Sequence, residues 1–194
     1  SREISLRSQN FLVAPYVIER SDITITTTKG FAKHPGLEVM ELPYTGSGVL
    51  ASSIAMDKVK SKLLWQRLGL STADFEFANE SSCWQELINR YGKLVVKPVS
   101  GGSSLGIAIV DNAVDLEKHY WKALEFDAEV IVEKFIEGVE YSTGVLGSEL
   151  FPTIQLETNR EFFDFEAKYT DEDSRIICPP ELSEEKLTEL EILV

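Results

Sequence analysis

Apolar and polar positions along the chain follow two periods. In "SSIAMDKVKSKLLWQRL", Ile54, Val59, Leu63 and Leu64 fall near one helical face and Gly69 supplies a stop, which predicts one helix over 52–68. "SSCWQELINRYG" sets Trp84, Leu87, Ile88 and Tyr91 at i, i+3, i+4 and i+7. Ser82 stands three residues before Gln85, a capping-box spacing, and Gly92 closes that helix. Asp111 or Asn112 caps a further helix carrying Leu116, Tyr120, Ala123 and Leu124. Elsewhere the period shortens to two. "KLVVKP" and "LGIAIV" read as strands flanking a glycine-serine turn, and "EVIVEKFI", "YSTGVLG" and "ELFPTIQLE" as successive strands with turns at Gly138 and Gly147. Phe163 and Phe165 alternate as in a half-buried strand, with turn formers Thr170, Asp171 and Asp173 behind them. Ser183 caps a last helix, with Glu184 and Glu185 in its first turn. Helices beside a sheet of hairpins predict an α+β fold rather than a doubly wound one.

Composition narrows the function classes. With 194 residues, 43% of them hydrophobic, the chain can bury the core of one ample domain or two small ones. No apolar run approaches the roughly 20 residues of a membrane span, and "SREISLRSQN" lacks the apolar centre of a secretion signal. The expectation is a cytoplasmic protein with no membrane partner. A net charge of −13 repels nucleic acid and anionic lipid, so an anionic ligand needs a local cluster of lysines working against the global field. Cys83 and Cys178 fit no metal spacing and read as reduced packing residues, and the lone His34 reads as a surface residue.

The chemistry concentrates in "VVKPVSGGSSLG", Val95 to Gly106. A Walker loop needs its lysine after the second glycine and a helix behind it; here Lys97 precedes the glycines and a strand follows. A dinucleotide fingerprint also needs a helix N-terminus. What remains is a hairpin whose tip, Ser100 to Ser104, can fold over a triphosphate and offer backbone N–H groups, because Gly101 and Gly102 carry no Cβ. An ordinary solvated turn fits the same residues. Likewise Lys58 fits a solvated helix face, Lys97 a strand-end charge, Glu133 and Glu140 exposed strand positions, and Phe135 a core ring.

Four ordered blocks resemble the D-alanine–D-alanine ligase family of the ATP-grasp superfamily: "LPYTGSGVLASSIAMDKVKSKLLWQ", "VVKPVSGGSSLG", "VIVEKFIEGVEYSTGVLG" and "FFDFEAKYTDE". The resemblance implies an ATP-grasp fold, with a remnant of the N-terminal α/β domain over 1–48, a central lid domain over 49–133 and the start of a C-terminal domain over 134–194. It implies that Lys58 and Lys97 meet the α- and β-phosphates of ATP beneath Gly101, Gly102, Ser103 and Ser104. Glu133 would meet the adenine amino group, the backbone of Lys134 and Phe135 the purine edge, and Glu140 the ribose hydroxyls. Carboxylates accept hydrogen bonds, which suits an amine and a diol and not a phosphate. "FEAKY" corresponds to a loop that closes on the nucleotide, with Lys168 reaching the γ-phosphate and Tyr169 bonding Ser103.

The reaction so implied joins two D-alanines. One carboxylate attacks the γ-phosphate under Mg²⁺ or Mn²⁺ neutralisation, and the amine of the second D-alanine displaces phosphate from the resulting acyl phosphate. The lysine-tyrosine pair matches the peptide-forming members, and full-length members form homodimers. The resemblance places the metal ligands beyond residue 194 and a substrate-orienting glutamate where Ser1 stands; Arg160 and Arg175 match no family motif. The expectation is therefore a ligase whose 194 residues alone release no phosphate from ATP and D-alanine. Two other readings stand beside it: a noncatalytic nucleotide-binding remnant, and a different ATP-grasp carboxylate-amine ligase.

Overall fold

The computed structural model describes residues 17–20, 23–26, 38, 41, 46–102, 104–160 and 173–193. Two short strands, β1 (Val17–Arg20) and β2 (Ile23–Thr26), pair antiparallel. Then come helices α1 (Val49–Met56) and α2 (Lys58–Arg67). A four-stranded antiparallel sheet follows, built from β3 (Phe75–Ala78), β4 (Leu94–Pro98), β5 (Ala108–Val110) and β6 (Val130–Lys134) in the order β3-β6-β4-β5. Helices α3 (Trp84–Tyr91) and α4 (Ala113–Ala123) connect its strands. After Lys134 the chain forms a second antiparallel sheet, β11 (Arg175–Ile177), β10 (Ile154–Glu157) and β7 (Glu140–Ser142), and a small hairpin of β8 (Val145–Leu146) and β9 (Glu149–Leu150) turning at Gly147. Helix α5 (Glu184–Ile192) closes the described chain, with the Ser183 hydroxyl accepting from the Lys186 N–H.

The period of two decides which face of the larger sheet is core. Leu94, Val96, Ala108, Val110, Val130, Val132 and Ala78 point to one side and form a single buried cluster with Leu87 of α3 and Leu116, Tyr120 and Ala123 of α4. Each valine or leucine of this cluster contributes roughly 1.5–3 kcal/mol when fully buried. The register sets Phe75, Glu133, Val95 and Ile109 side by side on the opposite face, with Lys97 one step along β4. A charged pair therefore lies on the face away from the core cluster, toward α2.

Two expectations need correction here. The predicted single helix over 52–68 is two helices broken at Asp57, which pairs as an isolated bridge with Ser100 and caps α2 by accepting from the Lys60 N–H. Its inward face is not the aliphatic one: Lys58, Ser61 and Lys62 are buried, while Leu63 and Leu64 are exposed. Nor does Ser82 cap α3, since its hydroxyl accepts from the Asn79 N–H and Cys83 holds the cap position. A local turn competes for the hydroxyl and wins. Asn112, the other candidate cap, does cap α4, accepting from the Asp115 N–H.

"LGIAIV" forms a strand only from Ala108, because Ser104 (φ 58°) and Gly106 (φ 70°) turn the chain first. A Cβ on Gly106 would sit 2.7 Å from Phe126 Cδ2 and 2.8 Å from Pro98 Cγ. Gly106→Ala should therefore cost about 2–4 kcal/mol, combining backbone strain with overlap against a buried proline ring. Urea unfolding of the 194-residue chain checks this; a midpoint equal to wild type would contradict it.

Candidate functional site

The N-terminus of α2, the β4–β5 loop and the Glu133 face of β6 meet at one place. Lys58 enters α2 with its N–H donating to Val99 O at 3.0 Å, and its ammonium donates to Val99 O at 3.4 Å and Gly101 O at 3.3 Å. Lys97 ends β4 and pairs with Glu133 Oε1. Lys62, one helical turn beyond Lys58, stands 3.1 Å from Glu133 Oε2, off the line of a hydrogen bond, so that oxygen has an ionic partner and no aligned donor. Lys62 also donates to Thr72 Oγ1 at 2.8 Å and lies over the Phe75 ring.

Burial is what makes this cluster unusual. Lys58, Lys62, Lys97 and Glu133 are between 0% and 4% exposed, and they are the only charged side chains buried among the described residues. Three buried ammonium groups against one buried carboxylate leave an excess of positive charge in a chain whose net charge is −13. Lysine is almost never fully buried unless paired, so the imbalance marks a place built for an anion. Burial and the neighbouring Lys97 push the Lys58 ammonium from its ordinary value down to about 8. Burial likewise lowers Lys62, with Glu133 opposing. Burial drives the Glu133 carboxyl up, but Lys97 and Lys62 together outweigh it and hold the group below the usual carboxylate range.

Beside the lysines, Ala73, Val95, Ile109, Phe135 and Ile136 wall a cleft of about 430 Å³ counted to its open mouth, into which Lys97, Ser104, Glu133 and Lys134 also reach. Its lining is mostly apolar, with Lys97, Glu133 and Lys134 as the charged members. Gly101 (φ 95°) has nothing within 4 Å of where a Cβ would be, so a ligand can approach its backbone closely.

The structure thus brings together Lys58, Lys97, Gly101, Ser104, Glu133, Lys134 and Phe135 of the expected residues. Gly102 lies in the same loop, and Leu105 N–H donates to its carbonyl at 3.2 Å. Ser103, Lys168 and Tyr169 lie outside the described residues. Glu140 is not in the cleft; with Arg160 and Arg175 it lines a broader neighbouring concavity that shares the Phe135 ring. The N–H groups of Lys134 and Phe135 already donate to Asp74 O and Lys93 O at 2.9 Å each. As a purine edge these two residues therefore do not offer these donors. Lys62 and Asp127 join the site without a sequence motif to mark them. Lys62 was findable as the i, i+4 partner of Lys58 on one helix face; Asp127, whose Oδ2 accepts from the Ser100 N–H at 2.6 Å, has no local signature.

The family model described as D-ala D-ala ligase C-terminus matches residues 64–194. The chain belongs to the D-alanine–D-alanine ligase family. It is 44% identical over 156 residues to a D-alanine–D-alanine ligase of Pseudoalteromonas atlantica, covering 77% of this chain and 49% of the relative. Against that of Nitrosomonas europaea it is 41% identical over 148 residues, covering 76% and 48%. Among solved structures it resembles the D-alanine–D-alanine ligase of Bacillus anthracis (TM-score 0.69, 34% identity, 82% of this chain and 53% of that one). It also resembles the VanG D-Ala:D-Ser ligase of Enterococcus faecalis (TM-score 0.72, 30% identity, 84% and 50%). The arrangement of helices and sheets is accordingly the ATP-grasp fold of these ligases. The chain spans about half the length of the curated relatives it matches. No helix among the described residues is long and apolar enough to cross a membrane.

Proposed function

We propose that these residues form the nucleotide-binding part of a cytoplasmic D-alanine–D-alanine ligase, which joins two D-alanines at the expense of ATP for peptidoglycan synthesis. The observation that carries this is the buried excess of lysine beneath a glycine-rich loop. A structure in the same family, the B. anthracis ligase complexed with ATP, is similar to this chain at a TM-score of 0.67 and 29% identity. The residues suit ATP in kind: the apolar side chains of the cleft suit a base, and the buried ammonium groups of Lys58 and Lys97 beside it suit phosphates. ATP supplies the leaving phosphate that makes a carboxylate open to attack by an amine.

This chain's own contribution is positioning and charge. Lys58 and Lys97 counter the α- and β-phosphates, Gly101 and Gly102 admit them to the backbone, and Glu133, which holds Lys97 in place, is proposed for the adenine amino group. Glu140 is proposed for the ribose, and Ser103, Lys168 and Tyr169 for the side of the γ-phosphate. Among the described residues no group of three or more His, Cys, Asp or Glu side chains converges, so Mg²⁺ or Mn²⁺ enters this reading only as the ion accompanying the phosphates. The proposed division of the chain is at 48 and 133, the second one residue before the end of β6. Homodimerisation is proposed for the full-length protein only.

Titrating Mg-ATP into the 194-residue chain at pH 7 tests the nucleotide reading, with saturable one-to-one binding expected and none up to millimolar overturning it. With these residues joined to the rest of the family's length, D-alanine should release phosphate from ATP. Release with D-serine or D-lactate as second substrate, and not with D-alanine, would overturn the substrate assignment.

A further inference from the structure

The base of the glycine-rich loop is gripped from two sides. On one side the Lys58 ammonium reaches the carbonyls of Val99 and Gly101, and Asp57 faces Ser100. On the other side is the turn that follows α4. Asp127 Oδ2 accepts from the Ser100 N–H at 2.6 Å, and its Oδ1 accepts from the Glu129 N–H at 3.4 Å. The Val99 N–H donates to Glu129 O at 2.9 Å, and the Phe126 ring fills the space over Gly106. Ser100 is thus tied by its own N–H to Asp127, while the carbonyls on either side of it are tied to Lys58.

A carboxylate next to a site for polyanions is unfavourable on charge alone. Its presence needs a reason, and the bonds supply one: both oxygens are occupied by backbone donors, one of them at the loop. We propose that Asp127 is a positioning residue that fixes the base of the glycine-rich loop and so aims both the loop backbone and the Lys58 ammonium at the phosphates. This rests on the nucleotide reading of the site. Without the Asp127 carboxylate the Ser100 N–H loses its acceptor, and the side-chain grip on the loop base is left to Lys58, a group that must also serve the ligand.

The test compares wild type, Asp127→Ala and Asp127→Asn in the 194-residue chain by amide hydrogen exchange without nucleotide and by Mg-ATP titration. Loss of a hydrogen bond to a charged acceptor should speed exchange across 98–107 about tenfold in Asp127→Ala and weaken ATP about tenfold, with the α4 core segment unchanged as evidence of folding. Asparagine keeps one acceptor oxygen and should restore most of both. Loop exchange at the wild-type rate in Asp127→Ala, or failure of asparagine to rescue, overturns the proposal whatever the nucleotide does. If wild type binds no ATP while the exchange pattern holds, the nucleotide reading falls and the grip on the loop stands.

Discussion

Glu133→Gln should destabilise the chain by about 3–5 kcal/mol at neutral pH, the range for removing one partner of a buried ion pair. The substitution keeps size and shape. What it removes is the only buried negative charge among the described residues, leaving Lys62 and Lys97, both within 4% of full burial, with no counter-ion. For a chain of this size the loss corresponds to roughly 6–20 °C in Tm. Because the Glu133 carboxyl lies below its ordinary value when folded, its stabilisation is complete above about pH 4.5 and drains away as pH falls further. The gap between wild type and variant should therefore be flat from pH 5 to 7 and close in acid. Adding Lys62→Met to Glu133→Gln removes one of the stranded cations and should recover at least half of the loss. Thermal unfolding followed by circular dichroism decides this; a Glu133→Gln protein within 1 °C of wild type would show that the cluster is not the electrostatic unit described.

Lys58→Met should do the opposite to stability and abolish most nucleotide affinity. Burial and Lys97 hold the Lys58 ammonium down at about 8, so carrying that proton in the folded state costs free energy at neutral pH. That cost is present below pH 8 and disappears as pH rises toward the ordinary lysine value, which means wild-type stability should increase between pH 8 and 10.5. Methionine keeps the packing and removes the cost, for a gain of about 1–3 kcal/mol at pH 7 after allowing for the bonds to Val99 O and Gly101 O. The same substitution should weaken Mg-ATP about 30- to 100-fold, the loss of one charge-assisted contact to phosphate. Wild-type affinity should itself fall as pH passes upward through 8. Calorimetric titration at pH 7 and 9, with exposed Lys118→Met as control, checks both arms; a variant that is less stable and binds normally would remove Lys58 from the site.

Much of this architecture was legible because local periodicity and core packing agree. The stripe Trp84, Leu87, Ile88, Tyr91 and the stripe Leu116, Tyr120, Ala123, Leu124 lie on the core as their spacing requires, with the period-two strands between them. The glycine-rich hairpin with Lys97 at its root was legible too, since a turn and a charge at a strand end are local facts. Over 52–68 periodicity failed for a physical reason. A spacing of 3.6 groups like positions on one face but does not say which face turns inward, and here the inward face is Lys58, Ser61 and Lys62. A helix whose buried side serves an anion reads as a solvated helix. The break at Asp57 and the grip of Asp127 on Ser100 depend on partners 43 and 27 residues away, and no window of sequence contains both halves.

The most direct test of the site is a map of lysine reactivity toward an ATP analogue bearing an acyl phosphate, which transfers its acyl group to whichever amine lies beside the phosphates. The expected map has modification at Lys58, Lys97 or Lys168, suppressed by added ATP, with exposed Lys60 and Lys118 unaffected by the nucleotide. Labelling spread over exposed lysines and indifferent to ATP would contradict the account.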